Sequence, residues 1–206
     1  LSVLPGVEGI SFVLVGAFGI VIFLKWESKT SSPVFHMDLL TKNKVFALSN
    51  LAALINYSAT FGVSFLMSLY LQLMKGLKPQ EAGLIMISQP IVQAIFSPLA
   101  GRLSDRIEPR LVASTGMGLT ALGLFLFSFL NQGTPVLFII VTLALLGFGF
   151  ALFSSPNTNA VMSSVDKKDY GIASGMINTM RAIGMMLSMG IVMMILTIYI
   201  GRVQIM

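Results

Sequence analysis

The stretch that decides the fold is Gly101-Arg102-Leu103-Ser104-Asp105-Arg106-Ile107-Glu108-Pro109-Arg110. It places five charged residues within ten positions, in a chain that holds only 13 Lys and Arg and 8 Asp and Glu in 206 residues. Long apolar runs flank it on both sides. Hydrophobic residues make up 55% of the chain, charged residues 10%, and the mean hydropathy is +0.89. A soluble domain carries about 25% charged residues, so this composition implies an all-α integral membrane protein with no separate soluble domain.

A spanning helix needs about 20 mostly apolar residues. Working outward from the charged island, six segments qualify: about 9–26, 45–74, 80–99, 111–130, 136–153 and 170–200. The first is short, and Lys25 and Trp26 give it an interfacial end. The connector Glu27 to Lys44 contains a Ser31-Ser32-Pro33 break and reads either as a surface helix or as a tethered loop. Gln89-Pro90 and Ser97-Pro98 predict kinks in the third span. The fifth span is expected to run into the polar sequence Ser154-Ser155-Pro156-Asn157-Thr158-Asn159. The chain opens on Leu with no basic leader and is expected to be a piece of a longer polypeptide.

Charge sets orientation. With the island on the cytoplasmic side and spans alternating, Lys25, Lys29, Lys42, Lys44, Arg102, Arg106, Arg110, Lys167 and Lys168 lie inside. Only Lys75, Lys78 and Arg202 lie outside. The excess predicts a cytoplasmic loop 101–110 in the cell membrane. The net charge of +5 arises from these short loops beside apolar runs, a pattern that points to the lipid bilayer and away from nucleic acid. Cysteine is absent and His36 stands alone, so no metal site and no cofactor are expected.

Polar residues inside the spans are the candidate functional groups, because each needs a partner or water. Ser174, Asn178, Arg181, Met185 and Ser188 share one face of the sixth span by steps of four and three. Arg181 lies about 15 Å past the start of that helix at 1.5 Å per residue. It is the only charged residue well inside any span. One reading places it on a water-filled cavity, meeting a substrate or a carboxylate from elsewhere in the polypeptide. The other has it reach the cytoplasmic surface or cap carbonyls at a kink. Gln89, Gln93 and Ser97 form a second face, and Ser49, Asn56, Thr60 and Met67 a third. Each residue alone fits ordinary interhelical hydrogen bonding, while the three faces together predict a shared polar cavity. Gly147, Gly149, Gly171, Gly175, Gly184 and Gly190 predict close helix packing. The methionines bunched from Met176 to Met194 fit a soft packing surface. No phosphate-binding loop, paired carboxylates or nucleophile–base set is present, and enzymatic chemistry has no foothold.

Gly101-Arg102-Leu103-Ser104-Asp105-Arg106 is similar to the loop signature that follows the second helix of each half of the major facilitator superfamily. Tyr70-Leu71-Gln72, Gly83-Leu84, Ser97-Pro98-Leu99-Ala100 and Gly171-Ile172-Ala173-Ser174-Gly175, with Asn178 and Arg181, extend the likeness to the C-terminal half of its 14-span drug:proton antiporter branch. The resemblance implies that residues 1–44 are a linker helix and cytoplasmic connector. Residues 45–206 would be five helices of an incomplete C-terminal half, with the N-terminal half missing. Glu108-Pro109 departs from the pattern, where a glycine and a basic pair are usual. The implied function is proton-coupled export of drugs or other small lipophilic or cationic molecules by alternating access. A permease for one metabolite and a non-transporting membrane sensor or structural subunit are the alternatives. The only Asp or Glu within a span is Glu81 at the very start of the third, and none lies deep in the membrane, so the coupling carboxylate is expected outside these residues. Gly101, Arg102, Asp105 and Arg106 are implied to form a conformational latch. Here Asp105 would find only local partners such as Arg102 or Arg106.

Overall fold

A computed structural model describes residues 18, 19, 22 and 41–203, the side chains of 199–203 excepted. The first predicted span, the connector and His36 therefore lie almost wholly outside the described residues. The remainder is helical, with no strand among the described residues. Five helical stretches are long and apolar enough to cross a membrane: Lys44–Met74, Pro79–Ser104, Pro109–Phe127, Val136–Ser163 and Lys167–Ile198. They correspond to the second through sixth predicted spans.

Helix α1 (Lys44–Leu69) is started by Asn43, whose side chain accepts from the Phe46 N–H at 3.0 Å. The same amide donates to the Ser164 carbonyl at 2.5 Å and ties two chain ends at one side of the bundle. A π-helical turn, Tyr70–Met74, closes α1. Gly76 then adopts φ +67°, a left-handed conformation that glycine reaches without a side-chain clash. At this opposite end the Lys75 ammonium donates to the carbonyls of Gln132 at 2.6 Å and Thr134 at 2.5 Å. Lys42, Lys44, Arg102, Arg106, Arg110, Lys167 and Lys168 therefore gather at one end of the helices, and Lys75 and Lys78 at the other.

The next span is two helices in line. Pro79 occupies the first turn of α2 (Pro79–Met86), and the Lys78 N–H donates to the Glu81 carboxylate at 3.0 Å. The helix is interrupted at Ile87 before α3 (Ser88–Ser104). Pro90 has no N–H to offer the Met86 carbonyl, which accounts for the break. Pro98, in contrast, lies inside an uninterrupted helix, so only one of the two predicted kinks interrupts the span. Helix α4 (Pro109–Phe127) also opens on a first-turn proline.

Helix α5 (Val136–Ser163) is the centre of the bundle, with half of its most apolar window buried (50%). Its length corrects the expectation that the span ends near Phe153. The polar sequence 154–159 stays helical because its side chains meet neighbours. The Thr158 hydroxyl donates back to the Ser154 carbonyl at 2.8 Å, and the Asn159 amide donates to the Ser104 hydroxyl at 3.0 Å. Pro156 is fully buried. Helices α3 and α4 pack along α5, while α6 (Tyr170–Val203) packs mainly along α1. The α1–α6 pair joins α5 through a narrower seam of Phe46, Ala53, Phe153, Val161, Ala173, Met176 and Ile177.

Backbone approach explains several glycines. A Cβ on Gly116 would lie 2.6 Å from the Gly149 carbonyl oxygen, and one on Gly147 would overlap the Gln89 backbone. Gly184 meets the Leu54 carbonyl in the same way, at 2.7 Å. Gly171, Gly175 and Gly190 face open space, contrary to the packing role predicted for them, because α6 turns that side away from α1.

Candidate functional site

Two polar regions stand out. The first is a cavity of about 430 Å³ lined by Ser64 of α1, Gly83 and Met86 of α2, Gln89, Pro90 and Gln93 of α3, and Leu143 of α5. The break at Ile87 shapes it, since the in-line helix is interrupted where Gln89 presses on Gly147. The side chains of Ser64, Gln89 and Gln93 have no hydrogen-bond partner among the described residues. These groups carry donors and acceptors without an internal use, so they remain available to water or a ligand.

The second region surrounds Arg181. Its Nη2 donates to the Thr158 hydroxyl at 2.7 Å, and its guanidinium carbon lies 5.6 Å from the centre of the Tyr57 ring. That distance falls within cation–π range. The Tyr57 ring is fixed by an edge contact with Phe150, ring centres 5.2 Å apart. The Arg181 Nε is buried without a partner. The side chain is thus held between α1, α5 and α6, and caps no carbonyl among the described residues. An arginine at the centre of a spanning helix costs about 2.5–3.5 kcal/mol on insertion scales. Tyr57 and Thr158 offset part of that cost.

Of the other predicted residues, Asn56 is buried (3% exposed), and its Oδ1 lacks a partner. Thr60 donates to the Asn56 carbonyl at 2.8 Å, a local bond within α1. Asn178 is exposed and unpartnered, one turn from Arg181. Gln89 and Gln93 share the 430 Å³ cavity, and Arg181 is not among its lining residues. Among the described residues the three predicted helix faces therefore do not all border this one cavity. Ser188, on the Arg181 face, is turned inward and accepts from the Gly62 N–H at 2.8 Å.

Tyr57, Ser64 and Thr158 were missed as site residues. Ser64 lies two turns beyond Asn56 on α1, so helical spacing could have found it. No sequence signal points to Thr158, since its pairing with Arg181 depends on α5 continuing past Pro156. Asn50 Oδ1 of α1 and Asn157 Nδ2 of α5 are also buried without partners. Among the described residues no cluster could hold a metal.

In the island, Gly101–Ser104 form the last turn of α3. A Cβ on Gly101 would sit 3.0 Å from the Ser155 hydroxyl. Arg102, Asp105 and Arg106 are exposed, and Asp105 makes no ion pair among the described residues. The local pairing expected for it is absent, because exposed charges gain little from pairing and give up side-chain freedom. The pair that does form is Arg110 with Glu108, at 3.7 Å.

The sequence profile described as Major Facilitator Superfamily matches residues 49–203. The chain belongs to the major facilitator superfamily. Among curated relatives, the riboflavin transporter RibZ of Clostridioides difficile is 28% identical over 84% of this chain and 39% of its own length. The multidrug resistance protein Stp of Mycobacterium tuberculosis is 31% identical over 86% of this chain and 33% of its own. The methyl viologen resistance protein SmvA of Salmonella typhimurium is 32% identical over 83% of this chain and 34% of its own. The chain thus spans little more than a third of the length of these relatives. Membership of this superfamily and five apolar spanning helices make it a multi-pass membrane protein.

Proposed function

We propose that these residues are most of the C-terminal half of a secondary transporter of the 14-span drug:proton antiporter branch. In this reading residues 1–44 supply a linker helix and connector, and residues 45–206 supply five helices of the half. The intact protein exports small lipophilic or cationic molecules from the cell by alternating access, driven by proton entry, and loop 101–110 faces the cytoplasm. The likeness to Stp and SmvA supports the drug-export assignment.

The observation that carries the reading is the 430 Å³ cavity with three polar side chains unused by the protein itself, in otherwise apolar spans. Its polar groups would orient substrate at the face that rocks against the N-terminal half. Asn56, Thr60, Asn178 and Arg181 are further candidates for substrate contact once the half is joined to the rest of the transporter. Gly101, Arg102, Asp105 and Arg106 form the latch. Asp105 sits at the C-terminal end of α3, where the helix dipole disfavours a carboxylate, so a positive partner on the other half would stabilise it.

The test is efflux of several unrelated dyes from cells expressing the full-length protein, with and without a proton gradient. Gradient-dependent efflux of more than one dye is expected. Saturable movement of a single solute would support a specific permease instead, the reading that the likeness to RibZ favours. No movement of any solute would leave a sensor or structural subunit.

A further inference from the structure

We propose that Arg181 is the centre of an anion site whose occupant is a carboxylate. The inference rests on the transporter reading only for the identity of that occupant, an acidic group of the substrate or an acidic side chain from the rest of the polypeptide.

Arg181 is a permanent cation within a span, yet no carboxylate lies within 4.0 Å of it among the described residues. The acidic residues of the described segments sit at helix ends: Glu81, Asp105, Glu108, Asp166 and Asp169. None can reach the middle of α6. A charge removed from water without a counter-charge is unfavourable, and it does not attract a second cation.

The donor inventory gives the site its shape. Guanidinium offers five N–H donors in one plane and no acceptor. Nη2 is engaged by Thr158, whose own proton goes to the Ser154 carbonyl, so the hydroxyl presents only lone pairs to Arg181. The guanidinium carbon lies over the Tyr57 ring, 5.6 Å from its centre. The donors left over are N–H groups at Nη1 and the second Nη2 proton, so an added partner must accept in the guanidinium plane. Nε, buried and unpartnered, shows that the protein's own groups do not complete the arrangement. Asn178, exposed one turn away on the same helix, carries a further idle amide donor. A planar acceptor carrying a negative charge fits this set, and a carboxylate matches it with two parallel bonds.

The test uses purified full-length protein and two probes, the anionic dye carboxyfluorescein and the cationic dye rhodamine 6G, with binding read by fluorescence polarisation. If the occupant is a substrate acid, carboxyfluorescein binds, and Arg181→Gln weakens it by about tenfold or more while rhodamine 6G, repelled by the same charge, is not weakened. Should Arg181→Gln fail to fold, Arg181→Lys keeps the charge without the fork and is expected to weaken carboxyfluorescein about threefold to tenfold. If the occupant is internal, carboxyfluorescein does not bind. One intramembrane Asp→Asn or Glu→Gln elsewhere in the polypeptide then shows a non-additive effect with Arg181→Lys in thermal unfolding. Absence of both results overturns the anion site. Dye efflux by the unmodified protein is read separately, so a non-transporting protein can retain the site, and a transporter can lack it.

Discussion

Thr158 accepts a hydrogen bond from Arg181 across the α5–α6 contact at 2.7 Å, and its own proton is committed to Ser154 at 2.8 Å. The hydroxyl is thereby locked as an acceptor, the role an arginine requires. Thr158→Val removes that acceptor while nearly preserving shape. A hydrogen bond to a charged group contributes about 1.5–3 kcal/mol. The variant is expected to unfold several degrees lower in detergent, as read by scanning fluorimetry. Thr158→Ser, which retains the hydroxyl, is expected to stay within about 1 kcal/mol of the parent.

Gly147 and Gly118 make a matched contrast. A Cβ at 147 overlaps the Gln89 backbone, while one at 118 meets nothing within 4 Å. Gly147→Ala is expected to destabilise by about 1–3 kcal/mol through overpacking. Gly118→Ala is expected to be neutral or slightly stabilising, since alanine favours helix by about 1 kcal/mol over glycine. Thermal unfolding of the two variants side by side checks the difference in sign.

Gln89 and Gln93 face the 430 Å³ cavity without hydrogen bonds to the protein. Replacing either with Leu removes no internal bond, so stability is expected to change by less than about 0.5 kcal/mol. Substrate affinity is expected to fall, visible as a raised KM for efflux in the full-length protein. A loss of folded protein with unchanged KM would assign both residues to packing.

Asp105 is exposed and unpaired at the end of α3. Asp105→Asn is therefore expected to leave the stability of these helices unchanged. In the full-length protein it is expected to slow the transport cycle while leaving substrate binding intact. Equal transport rates would reduce the island to a determinant of membrane orientation.

The order and helical character of the second through sixth predicted spans were legible because hydropathy depends on local sequence alone. Span edges were less so where polar sequence continued a helix. The segment from Ser154 to Asn159 looks like an exit from the membrane until its partners, Ser104 and Arg181, are known. Those partners are distant in sequence, and periodicity carries no information about them. The same limit separated the candidate residues into two regions. Helical spacing placed Gln89 with Gln93 and Asn178 near Arg181, but the α3–α5 and α5–α6 contacts determine which faces meet. Glycines divided likewise, Gly147 and Gly184 against backbone and Gly171 and Gly190 in the open, according to neighbours that the sequence does not name.

The approach of Gly116 to Gly149 has one more consequence. Where α4 crosses α5, the contact is between main chains, with the Gly116 carbonyl 2.9 Å from the position of a Gly149 Cβ. Main chain has no rotamers, so forming this crossing costs no side-chain entropy. It also offers no alternative packing to hop between. The crossing has one register, and a displacement of either helix at that point must be shared by the other.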